Sequence, residues 1–181
     1  MTPVVLYEAN LWARPKWLGA VERLSPEQYV QALPFGRRSV RATLVHIGLA
    51  EEVWLARIRG ELGAREAAEV IRRLQAGSFG REDPFRFVEE KMPDFPTARA
   101  ALESQAQEVL ATMRGLSEDD WHREIELRGA RRSAYYTLEE IFTQIALHEV
   151  HHRAQILAML RLLGVPVENV DFIRSVRRVR G

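Results

Sequence analysis

Three of the five histidines in this 181-residue chain stand where a helical pattern calls for an apolar side chain. His148 and His152 are four residues apart, which puts both on one helix face with Cβ atoms about 5–6 Å apart. Two imidazoles at that spacing can reach one metal ion through N–metal bonds of about 2.0–2.1 Å. His46 lies on the inward stripe of an earlier helix, and facing helices are the usual source of ligands for a metal in a bundle core. Left without partners in an apolar interior, each imidazole would cost roughly 1–3 kcal/mol. A shared divalent ion removes that cost. Three neutral imidazoles and no thiolate describe an open site, with a fourth position for water or substrate. Zinc or nickel is expected first and manganese or iron next, because imidazole ligation alone does not choose among them. The plainer alternative is three ordinary core histidines, each bonded to a carbonyl.

A second motif uses the same residues. His148-Glu149-Val150-His151-His152 matches H-E-x-x-H, the zinc-protease helix whose Glu is a general base. The longer protease pattern would need Gly at 155 and His at 158, where this chain has Gln155 and Ala158. The shorter one needs an acidic ligand on another helix, and Glu168 is the nearby candidate. The protease reading is therefore the weaker one. Arg153 is a candidate for holding an anionic thiol or substrate, with an interhelical ion pair as its other reading. Glu149 is about 100° round the helix from His148, a phase that favours a solvated face. His151 falls either beside the ligands or at the surface. Tyr135, Tyr136 and Trp121 precede the last long helix and either wall a pocket or pack in the core.

Composition narrows the classes. With 46% apolar and 28% charged residues the chain reads as globular, and its length fits a single domain over 1–181. A formal net charge of +1 argues against a protein built to bind nucleic acid. The basic residues are 24 Arg and 2 Lys. Arg174, Arg177, Arg178 and Arg180 read as a solvated tail or a contact between copies. No signal-peptide pattern and no apolar run of about 18–20 residues is present, so the expectation is a cytoplasmic protein with no membrane span. There are no cysteines, which removes disulfides, thiolate metal sites and a catalytic thiol of the chain's own.

Four long helical patterns must position these residues. The first spans about Val4–Leu24, with Pro15 as a kink or late start. The second runs from the N-cap Ser39 to Gly60 and carries His46. From Glu61 to Phe95 a short helix near Arg65–Leu74 and scattered Gly and Pro describe a long crossover. The third helix spans Thr97–Leu116. Arg123–Tyr136, with a central Gly, reads as an extended or hairpin segment. Thr137 and Glu140 form a capping box that opens the fourth helix, which ends at Gly164-Val165-Pro166. The expected fold is all-α: a four-helix bundle with a long crossover between helices two and three.

His46 on helix two, with His148-x-x-x-His152-Arg153-x-Gln155-Ile156 on helix four, resembles the DinB superfamily. The resemblance extends to Asn10-x-Trp12-Ala13, to Trp54-Leu55-x-Arg57-x-x-Gly60, and to Gly164-Val165-Pro166 with Asp171-Phe172. It spans essentially the whole chain, although Glu61 to Phe95 carries no motif. It implies a dimeric four-helix bundle with a divalent metal on His46, His148 and His152. Related members use such a metal to activate a low-molecular-weight thiol, in S-transferases and in maleylpyruvate isomerase.

That chemistry agrees with the absence of cysteine, since any thiol must come from outside and an open metal position would lower its pKa. The same position could instead activate water for hydrolysis. The expectation is thus a metal-dependent transferase or hydrolase acting on a small molecule. A non-catalytic metal-binding homodimer with a structural or stress-related role is the alternative.

Overall fold

The structure is a computed structural model and describes residues 1–176. Helix α1 (Pro3–Val21) starts behind Thr2, whose hydroxyl accepts from the Val5 amide, and continues through Pro15. Pro15 faces solvent, so its ring displaces no core residue. Ser25 and Gln28 form the capping box of the short helix α2 (Pro26–Val30). Helix α3 (Val40–Ile58) is capped by Ser39, whose hydroxyl accepts from the Ala42 amide at 3.0 Å. It gives way to Gly60 at φ +79°, a left-handed stop that glycine adopts without strain.

The crossover folds as helix α4 (Ala64–Ala76) and a coil that leads to helix α5 (Phe95–Arg114), which Asp94 caps. Strands β1 (Glu124–Arg128) and β2 (Ser133–Thr137) pair antiparallel, with Leu127 opposite Ala134 and Ile125 opposite Tyr136. Thr137 ends the hairpin and caps helix α6 (Leu138–Leu162) through the capping box with Glu140. Helix α7 (Phe172–Ser175) follows, with Arg174 exposed. Arg177, Arg178 and Arg180 lie outside the described residues.

The chain is thus mostly helical with a small two-stranded sheet, and the expected all-α class is only roughly right. The departure is the hairpin. Its strands are too short to stand alone, and β1 packs on α4. Of the four long helices, α6 packs on α1 and α3, and α5 packs on the same two. Buried Leu44, Ile47, Val53, Leu102, Ile156 and Leu160 supply core from α3, α5 and α6.

The crossover coil is pinned close to the histidines. Phe87 is fully buried, and a Cβ on Gly48 would lie 2.3 Å from its ring. Gly48 therefore lets an aromatic worth about 1.5–3 kcal/mol of burial sit flat on α3, two residues from His46. With α4 packed beside α3 and β1 packed on α4, His46 faces a wall made of both.

Candidate metal centre

α3 supplies His46, and α6 supplies His148 and His152 one turn apart. Their rings converge, with centroids 4.9 Å apart for His46–His148, 4.5 Å for His46–His152 and 4.4 Å for His148–His152. The Nε2 atoms of His46 and His148 are 3.2 Å apart. One ligand nitrogen from each of the three lies within 4.8 Å of the others, and no carboxylate joins this group among the described residues. His46 and His152 are buried and His148 is half-buried.

A side-chain relay fixes the tautomer of His152. Gln155 Nε2 is 3.0 Å from His151 Nε2, and Gln155 Oε1 is 2.8 Å from His152 Nδ1. The amide oxygen can only accept, so Nδ1 of His152 carries the proton and its Nε2 presents a lone pair. This is how ligating histidines are usually oriented. The relay in turn needs a close backbone: Gly36, at φ +60°, would place a Cβ 3.0 Å from Gln155 Oε1.

Burial pushes the His46 pKa down to about 2, helped by the neighbouring His148 and Arg37. Burial likewise pushes His148 down to about 3, with His152 and His151 adding to it. His152 is lowered too, first by burial and against the pull of Gln155. All three are therefore neutral imidazoles at neutral pH, the form that binds metal.

The group opens onto a cavity of about 720 Å³ between α3, α4, α6 and the hairpin. Trp54, Ile71, Leu74, Leu127 and Tyr136 form its apolar wall, with Trp54 edge-on to Tyr136 at 6.4 Å. A smaller cavity of about 320 Å³, walled by Phe79, Phe87 and Val88, also reaches His46 and Arg37. Tyr136 thus serves the pocket. Tyr135 is exposed, and Trp121 packs edge-on against Phe142 at 5.7 Å.

The remaining charged candidates lie elsewhere. Glu149, expected on a solvated face, is fully buried, and its carboxylate accepts from Arg14 at 2.8 Å and 3.1 Å. The cause is geometric: α6 is buried against both α1 and α3, so 100° from His148 leads into a second packed face. Arg14 also donates to Glu51, which accepts from the Tyr7 hydroxyl at 3.0 Å as well. Arg153 donates to Asn10 Oδ1 at 3.0 Å and lies 3.9 Å from Glu149. It lines neither cavity. Glu168 is largely exposed, 3.6 Å from Lys16.

Spacing alone picked out His46, His148 and His152, which fold into this one group. A model of the DinB family matches residues 1–178. The chain belongs to the DinB family. No curated protein matches it. In this DinB chain the pocket also draws on residues with no periodic signal. Arg37 sits in the loop before α3, and Leu127 and Tyr136 come from the hairpin.

Proposed function

We propose that this DinB protein holds one divalent ion, zinc or nickel, on His46, His148 and His152 and is a metal-dependent enzyme for a small-molecule substrate. The observation that carries this reading is the 3.2 Å between the Nε2 atoms of His46 and His148. Two nitrogens bound tetrahedrally to one ion, each about 2.0–2.1 Å from it, would stand about 3.3 Å apart. The bare Nε2 of His152 suits the third position. Bound there, the ion supplies Lewis acidity that lowers the pKa of a thiol or water at its open position. With no cysteine in the chain, the thiol of an S-transferase reaction comes from outside; the water alternative is a hydrolase.

The chain's own residues have distinct parts in this reading. Gln155 keeps the His152 proton on Nδ1. Trp54, Ile71 and Leu127 exclude water from one wall, which strengthens electrostatic interactions inside. Arg153, expected to hold an anionic thiol, instead steadies α6 against α1 through Asn10. The protease alternative would need Glu149 at the pocket and an acidic ligand such as Glu168; neither lies with the histidines. The four long helices are read as one bundle, and the protein as a cytoplasmic homodimer without nucleic-acid or membrane partners. Among the described residues, no helix is long and apolar enough to cross a membrane. The dimer rests on family resemblance.

The test is turnover by zinc- or nickel-loaded protein, with 1-chloro-2,4-dinitrobenzene plus a panel of small thiols and, separately, with p-nitrophenyl acetate. The reading expects metal-dependent turnover that His46→Ala abolishes. Dependence on added thiol selects the transferase. A metal-loaded protein inert in both assays favours the non-catalytic metal-binding dimer.

A further inference from the structure

A guanidinium stands on the wall of the histidine pocket with no carboxylate against it among the described residues. Arg37 lines both cavities that reach His46, and it forms no ion pair among the described residues. Its guanidinium is held by the last turn of α4, donating to the Leu74 carbonyl at 3.1 Å and the Gln75 carbonyl at 3.0 Å. Gly77, the left-handed stop of that helix at φ +69°, leaves room for it: a Cβ there would be 2.7 Å from Arg37 Nη2. The side chain is thus built into position, with donor capacity left over, since a guanidinium has five N–H groups.

Nearby acids are committed elsewhere. Glu140, on the wall of the larger cavity, accepts from the Thr137 amide in the α6 capping box. Glu89, on the smaller cavity, is paired with Arg41 at 3.0 Å. Arg153 faces Asn10 and Glu149, away from both cavities. Neutral imidazoles contribute no counter-charge to Arg37, and a divalent cation would add positive charge beside it.

We propose that Arg37 is an anion anchor beside the three histidines, and that the pocket takes small amphipathic anions whose carboxylate or similar group meets Arg37. The apolar part of such a ligand lies on Trp54, Ile71, Leu127 and Tyr136. An uncharged molecule of the same shape leaves the guanidinium uncompensated in a half-enclosed site. This inference rests on the reading of the larger cavity as a substrate pocket, and it names the class of ligand that pocket selects.

The experiment is calorimetric titration of 3-phenylpropanoate and its uncharged analogue 3-phenylpropanamide, in metal-loaded and metal-free protein. The acid is expected to bind about tenfold or more tightly than the amide, the scale of one charge-assisted hydrogen bond. Arg37→Gln removes that preference while leaving amide affinity within about twofold, and Arg37→Lys, a point charge without the fork, keeps part of it. The acid–amide comparison in the unaltered protein stands even where the variant loosens α4. Equal binding of acid and amide, no binding of the acid, or a preference that survives Arg37→Gln would overturn the proposal. Metal content is measured on the same samples. A protein that retains no metal yet prefers the acid through Arg37 sinks the metal reading and keeps this one.

Discussion

Two polar clusters join α3 to α6, one of them with α1 as well, and they solve the problem of buried polarity in opposite ways. Arg14, Glu51 and Glu149 form a sealed group: a cation between two carboxylates, all with side chains 5% exposed or less. His46, His148 and His152 form an open group that lines a cavity of about 720 Å³. In the first, Arg14 donates to both carboxylates, and the two oxygens left without a partner, Glu51 Oε2 and Glu149 Oε1, are buried away from both cavities. In the second, the internal partners are Gln155 on His152 and the 3.2 Å contact between the Nε2 atoms of His46 and His148, and the group still faces the cavity. A buried ionic group that closes on itself holds helices in register; one that stays open is built around a guest.

The largest expected effect comes from breaking the sealed cluster. Arg14→Met leaves two carboxylates buried without their cation and should destabilise the fold by about 3–5 kcal/mol. Denaturant melts would show this, while metal per folded molecule stays the same. A loss below about 1 kcal/mol would mean that the cluster is no better sealed than the histidines.

Metal removal is expected next in size. A ligand present at about a hundred times its dissociation constant stabilises by about 2.7 kcal/mol, so chelation should lower the thermal midpoint accordingly. An unchanged midpoint, with metal loss verified, would assign the ion no part in stability. Smaller again is Gln155→Leu, which frees the His152 ring. Metal affinity should fall about 10- to 100-fold with the denaturant midpoint of the metal-free protein hardly moved. Unaltered affinity would remove Gln155 from the site.

The smallest effect is one of pH. Burial raises the Glu51 pKa above its usual 4.5, against the pull of Arg14. A raised acid contributes stability that is present in full below that usual value and is lost as pH rises through the folded one. The stability advantage of wild type over Glu51→Gln should therefore shrink as pH increases across that window. A constant difference would show that Glu51 titrates as it does in the unfolded chain.

The same contrast explains what the sequence disclosed. A histidine in an apolar helical stripe breaks the pattern, so His46, His148 and His152 stood out from phase alone. The cap residues Ser39 and Thr137 also carry local signals, and both helices begin where those place them. Glu149 departs from its phase because that phase describes a single inward stripe, whereas α6 is buried on two sides. Its partner Arg14 is 135 residues away in the chain, a separation that periodicity does not report. Arg37, Leu127 and Tyr136 reach the pocket from a loop and a hairpin whose placement depends on the tertiary fold. The hairpin is legible as an extended segment with a central Gly, and Tyr136 as an aromatic that either walls a pocket or packs in the core; the place of Leu127 in that wall is not.

The measurement closest to the central claim is the metal content of the untagged protein beside His46→Ala and Arg14→Met, each taken as folded material. The account predicts about one divalent ion per chain in wild type and in Arg14→Met, and none in His46→Ala. Metal retained by His46→Ala, or absent from wild type even after incubation with zinc or nickel, would contradict it.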